Sequence, residues 1–276
     1  LSLLDSFYND WLASFDLCPV LVIPSENLDF VNKQFNNWKH GPGNTYAVCR
    51  YIIKNNEVFR DCAGQHVGFK MFSDEYVSTL VRLVKMPDLD FMQNLGDWPL
   101  STNRLKATNG NKNTDVVPII SWCGSDETYD MILPTYDYTR TVLTGNEYSD
   151  IFNYLDSNDK PENFKDLPNK IDKAIWRGRD SRKERLQLAE MSNKDQSENL
   201  DAGITAFFFF PKDEKLMTSR IPMTDFTKYQ MILSIDGTVA AYRMPYIMAM
   251  ASVVLKVKSG YYEHFYKGLR WGREVL

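Results

Sequence analysis

The sequence contains no apolar run long enough to cross a membrane as a helix. Its longest such stretch, Val239 to Ala251, carries Arg243 and Pro245 and falls short of the roughly 18 to 20 apolar residues a span needs. A membrane span is therefore not expected, and the chain reads as soluble. It also lacks an excess of positive charge: 32 Lys and Arg stand against 36 Asp and Glu, a net charge of -4. No general field gathers a polyanion, which argues against nucleic acid as a partner. The four cysteines, Cys18, Cys49, Cys62 and Cys123, show neither zinc-ligand spacing nor a CxxC pair, so no metal site is expected, and their disulfide pairing stays open. Asn-x-Ser/Thr sequons are missing, and so are internal repeats. Leu1 to Leu12 holds neither a basic region nor an apolar core of a secretory signal. A start at Leu instead of Met points to a fragment of a longer precursor, so that last absence carries little weight.

What is present fits a folded chain with two modest cores: 276 residues, 43% hydrophobic and 25% charged. Tyr46 to Ile53 and Glu57 to Arg60 are rich in β-formers around Asn55-Asn56, which predicts a hairpin. Ser73, Asp74 and Glu75 look like a helix start, followed by Tyr76, Leu80, Leu83 and Val84 at helical spacing. Leu89 to Asn94 reads as a buried strand, and Val116 to Trp122 as a second, parallel one after the polar loop Ser101 to Asp115. Thr144 to Lys170, rich in Asn, Asp, Lys and Pro, reads as a linker. The expected domains are 1–165 and 166–276. Beyond the linker come a short strand at Ala174 to Trp176, a turn at Arg177 to Asp180, and a helix opened by Ser181 with Glu184 and running to about Met191. Leu200 to Phe210 and Tyr229 to Ile235 are strand-like, with Phe207 to Phe210 expected as buried strand. A helix over Val239 to Met250 and a strand over Ser252 to Val257 complete a βαβ unit. The fold class is α/β.

Three residues attract a chemical reading. Arg177 and Arg243 fall just past strand ends beside helix starts, where open α/β sheets collect anions; the planar, permanently charged guanidinium matches phosphate oxygens in pairs. Arginines at such positions are more often surface ion-pair partners. Asp97, in the loop after Leu89 to Asn94, has the chemistry of a general base for a hydroxyl nucleophile, while its plainer reading is a turn aspartate that bonds its own backbone.

The segments Trp176 to Leu186, Asp236 to Arg243 and Tyr261 to Tyr266, together with Gly64 to Phe69, Lys85 to Asp88, Asn94 to Leu100 and Ser121 to Ser125, resemble the CAP10-like glucosyltransferases of glycosyltransferase family 90. The branch most resembled is that of the KDEL motif-containing proteins. The resemblance runs from about Cys49 to Tyr266 and implies a GT-B fold, two Rossmann-like domains facing a cleft. It implies inverting, metal-independent transfer of glucose or xylose from UDP-glucose or UDP-xylose to a serine of EGF-like repeats in secreted or membrane proteins, in the lumen of the endoplasmic reticulum. No cofactor is needed beyond the donor substrate. By the same resemblance Asp97 is the base and Arg177 and Arg243 hold the diphosphate. Gly178, Asp236, Gly237 and Thr238 shape the donor turn, and Glu263 accepts ribose hydroxyls. His264 is read as a packed ring in preference to a phosphate neighbour, and Trp98 as packing beside Asp97 in preference to an aromatic wall for the acceptor. Family members continue past the Tyr261 to Tyr266 motif, so the second domain is expected to be incomplete, with Cys18 left as a free thiol. A transferase acting on a glycan and a non-catalytic client-binding protein of the same fold are the alternatives; retention of Asp97, Arg177 and Arg243 together speaks against the second.

Overall fold

The computed structural model describes residues 47–64, 67–101, 119–144, 149, 151, 170–194, 198–270 and 272. Cys18, most of the Ser101 to Asp115 loop and most of the Thr144 to Lys170 stretch, with the boundary expected at 165/166, lie outside the described residues. The chain divides into two compact units, 1–133 and 134–276.

In the first unit, strands β1 (Ala47–Lys54) and β2 (Glu57–Gly64) form the expected antiparallel hairpin. Asn55 and Asn56 both take left-handed backbone, with φ of 51° and 66°, as a two-residue turn requires of both central positions. Cys49 and Cys62 face each other in this register and form a disulfide. Helix α1 (Lys70–Leu83) starts three residues before the expected Ser73, because a 3-10 turn at Val67–Phe69 already winds the chain. Ser73 is fully buried against the sheet instead of capping the helix. Tyr76 donates to Gln93 at 2.7 Å and Tyr51 to Asp74 at 2.9 Å, tying α1 to the sheet. Strands β3 (Leu89–Asn94), β4 (Ile119–Ser121) and β5 (Met131–Ile132) complete a mixed sheet in the order β2-β1-β3-β4-β5. As expected, β4 is parallel to β3.

The second unit begins with helix α2 (Tyr136–Thr144) and holds an all-parallel sheet of β6 (Ile171–Arg179), β7 (Leu200–Ala206), β8 (Tyr229–Ser234) and β9 (Val253–Lys256), in the order β9-β8-β6-β7. Ile175, Trp176, Ile204 and Ile232 are wholly buried, as expected of strands covered on both faces. Helix α3 (Lys183–Lys194) lays Ala189 and Leu186 against Trp176 and Ile204.

Three sequence expectations fail here. The turn assigned to Arg177 to Asp180 is strand as far as Arg179, so Arg177 lies within β6 and not past its end. The helix expected over Val239 to Met250 contracts to a five-residue helix α4 (Met244–Met248). Pro245 sits in its first turn; without an N–H, and with a ring that clashes one turn back, it is tolerated at a helix start and not inside. The apolar residues before it are buried even so, which gave the segment a false helical look. Phe207 to Phe210 is not strand: β7 stops at Ala206, and the backbone N–H groups of Phe208, Phe209 and Phe210 all donate to the Asp180 carboxylate at 2.7 to 2.9 Å. Phe208 and Phe209 are exposed.

Candidate active site

Asp97 lies in the loop that follows β3, with Gly96 before it and Trp98-Pro99 after, and it is exposed. The loop is held by a buried polar chain. Asn94 accepts from the Gly96 amide at 2.9 Å, and its amide group donates to the Trp98 carbonyl at 2.7 Å and to Ser121 Oγ at 3.1 Å. Ser121 donates to Asp130 at 2.6 Å, whose carboxylate also accepts the amides of Leu100 and Ser101 at 2.8 and 2.9 Å. The buried Cys123 thiol donates to the Asp97 carbonyl at 3.3 Å. Asp97 is thus presented on a backbone fixed on both sides, the condition for a carboxylate that must meet a proton in one geometry. Trp98 is 56% exposed. Asn94, Ser121 and Asp130 went unread in the sequence; the only signal was polar residues at the ends of otherwise apolar strands.

In the second unit the arginines gather at the carboxyl edge of the parallel sheet. Arg185, on the buried face of α3 four residues before Ala189, donates to the carbonyls of Asp236 at 2.8 Å, Ile235 at 2.9 Å and Arg179 at 3.0 Å, and to Ser181 Oγ at 2.9 Å. Burial, followed by the neighbouring charge of Arg243, lowers its pKa to about 9. Arg182 donates to the Gly237 carbonyl at 2.6 Å and lies over the Tyr261 ring at 5.8 Å. Arg243, at the N-cap of α4, donates to the Arg177 carbonyl at 2.5 Å. Arg182 and Arg185 thus hold the turn at Asp236-Gly237-Thr238, while Arg243 is tied to the Arg177 backbone and makes its charge felt at Arg185. A Cβ on Gly237 would stand 3.2 Å from the Arg185 guanidinium and 3.3 Å from Ser181 Oγ, so glycine lets both approach the turn.

Arg177 behaves differently. Its guanidinium donates to the Asp201 carboxylate at 2.6 Å and to the carbonyls of Trp176 and Asp201, each at 2.9 Å, while Tyr229 donates to the other Asp201 oxygen at 2.9 Å. The structure brings Arg243 onto the Arg177 backbone, but the Arg177 side chain is engaged along the sheet. Gly178 has a packing reason: a Cβ there would lie 2.6 Å from the Trp176 indole.

Asp236 is buried, paired with Lys256 at 2.7 Å and accepting from the Ser259 hydroxyl. Glu263 is completely buried, and neither carboxyl oxygen has a hydrogen-bond partner of good geometry among the described residues. Desolvation lifts its pKa to about 8; the Tyr266 hydroxyl and Lys256 act against the rise, Asp236 with it. His264 is a packed ring, as read, between Tyr138 and Phe265, and burial lowers its pKa to about 4.

Guanidiniums at the carboxyl edge of a parallel α/β sheet have the charge and the geometry to receive an anionic ligand. Sequence comparison gives the family: residues 26–274 match the model of glycosyl transferase family 90, and the chain belongs to that family. It is 44% identical over 233 residues to protein O-glucosyltransferase 2 of Danio rerio, covering 83% of this chain and 44% of that protein. Identity to protein O-glucosyltransferase 3 is 46% over 228 residues in Mus musculus (81% and 43% covered) and 45% over 227 residues in Homo sapiens (81% and 43%). The chain spans less than half the length of these curated relatives.

Proposed function

We propose that this chain is the transferase region of an inverting, metal-independent protein O-glucosyltransferase of the GT-B type. Its donor is UDP-glucose or UDP-xylose, and its acceptor is a serine of EGF-like repeats. The observation that carries the donor half is the grouping of Arg182 and Arg185 on the Asp236-Gly237-Thr238 turn with Arg243 close enough to Arg185 to depress its pKa, in the unit that also holds the buried Glu263. Family membership and the names of the relatives support sugar transfer to protein. The cross-strand disulfide supports an oxidising compartment, which the endoplasmic reticulum lumen supplies.

Asp97 takes the serine proton as the serine oxygen bonds to the anomeric carbon, on the side opposite the leaving group. The bond from that carbon to the β-phosphate oxygen breaks, and the electron pair leaves with UDP. Negative charge grows on the diphosphate, and the guanidiniums stabilise it there, supplying the positive charge a divalent cation brings to other sugar transferases. Glu263 accepts ribose hydroxyls. Arg243 is the principal diphosphate contact; Arg177 contributes its carbonyl beneath Arg243 and reaches the phosphates only by leaving Asp201.

Calorimetric titration of UDP in EDTA tests the donor site. Wild type is expected to bind. Arg243→Ala should weaken binding about tenfold to a hundredfold, as loss of a charge-assisted contact does. Arg177→Ala should weaken it less. Unchanged affinity in Arg243→Ala would remove the proposed diphosphate contact.

A further inference from the structure

The donor turn is shaped from beneath by a residue that takes no part in the reading above. Lys256 ends strand β9, and its side chain is 2% exposed. Its ammonium donates to Asp236 Oδ1 at 2.7 Å and to the Val257 carbonyl at 3.0 Å, and lies over the Tyr266 ring at 5.8 Å. The second Asp236 oxygen accepts from Ser259 Oγ, which itself accepts from the Tyr261 amide at 2.8 Å. Tyr261 in turn lies under the Arg182 guanidinium, and Arg182 holds the Gly237 carbonyl. One chain of contacts therefore runs from Lys256 through Asp236 to the turn, and through Ser259 and Tyr261 to Arg182. Glu263, fully buried, stands within electrostatic reach of both Lys256 and Asp236.

We infer that Lys256 is a positioning residue for the donor diphosphate: it holds the buried Asp236 carboxylate, and with it the Gly237 turn and Arg182, in the geometry that receives the phosphates. A buried carboxylate left without a counter-charge either takes a proton or draws in water, and in both cases the turn must move. A lysine in this place also offsets the charge of the Asp236 carboxylate beside an anionic ligand. The inference rests on the UDP-donor reading and deepens it.

The test is UDP titration of the chain, with far-ultraviolet circular dichroism and thermal unfolding on the same samples. Lys256→Met keeps the length of the side chain and removes the charge; Lys256→Met combined with Asp236→Asn removes both charges while leaving Ser259 an amide oxygen to meet. Wild type is expected to bind UDP, and failure there would sink the donor reading itself, separately from the role of Lys256. Lys256→Met is expected to bind about tenfold more weakly or worse at a temperature where it is fully folded, since small displacements of binding groups have effects of that size. The double variant should recover most of that loss. If Lys256→Met fails to fold, the double variant alone decides: folding with near wild-type UDP affinity supports the inference, and weak binding by a folded double variant overturns it. A folded Lys256→Met variant with wild-type affinity and only a lower melting temperature also overturns it, since Lys256 then serves stability alone.

Discussion

At the scale of single residues, the proposed base and the buried carboxyl make opposite demands on their surroundings. Asp97 is exposed on a fixed loop, so Asp97→Asn should leave UDP affinity unchanged and lower turnover about a hundredfold or more, the usual contribution of a positioned base. Steady-state kinetics beside UDP titration checks this, and near-normal turnover would take Asp97 out of the mechanism. Glu263, with a pKa raised from 4.5 to about 8, keeps in the folded state a proton that the unfolded chain gives up. Stability conferred by that proton is whole below about pH 4.5 and falls as pH rises, levelling off above about 8. Thermal unfolding across this range should show the decline in wild type and a flatter profile in Glu263→Gln; parallel profiles would show that Glu263 titrates normally. Asp97, Arg243 and Glu263 are singled out by the sequence because they stand in recognisable motifs. Arg185, Asp180 and Lys256 were not singled out, because their work is done on backbone carbonyls, amides and a buried carboxylate that only folding assembles. A lysine closing the apolar run Val253 to Leu255, and an arginine on the buried face of α3, were the available signals.

At the scale of elements, the hairpin and the parallel strands could be read from β-formers and turn residues, whereas segments buried on all sides misled. Val239 to Met250 looked helical by composition, but Pro245 limits the helix to Met244–Met248. Phe207 to Phe210 looked like a core strand, yet a carboxylate one strand away takes three of its amides and turns Phe208 and Phe209 outward. Removing that carboxylate with Asp180→Ala orphans all three amides. A loss on the order of 3 kcal/mol is expected in urea unfolding, and a loss below about 0.5 kcal/mol would mean that the loop holds itself. The Cys49–Cys62 bridge, with a sequence separation of 13, closes a short loop in the hairpin. Cys49→Ser with Cys62→Ser should cost about 2 to 3 kcal/mol of stability by the same measurement, and no change would place the hairpin's stability in the sheet alone.

At the scale of the whole molecule, each of the two units supplies one half of the proposed chemistry. The first presents a carboxylate on a loop pinned by Asn94, Ser121 and Asp130; the second presents a cationic sheet edge with a buried carboxyl beside it. Under the proposed function both halves serve one reaction, transfer of a sugar to a protein hydroxyl, a reading that membership of glycosyl transferase family 90 supports. The most direct measurement is the intact mass of a folded EGF-like repeat incubated with UDP-glucose and this protein in EDTA. The expected result is addition of a single hexose by wild type and almost none by Asp97→Asn. An unmodified repeat beside a wild-type protein that binds UDP, or equal modification by Asp97→Asn, would contradict the proposed reaction.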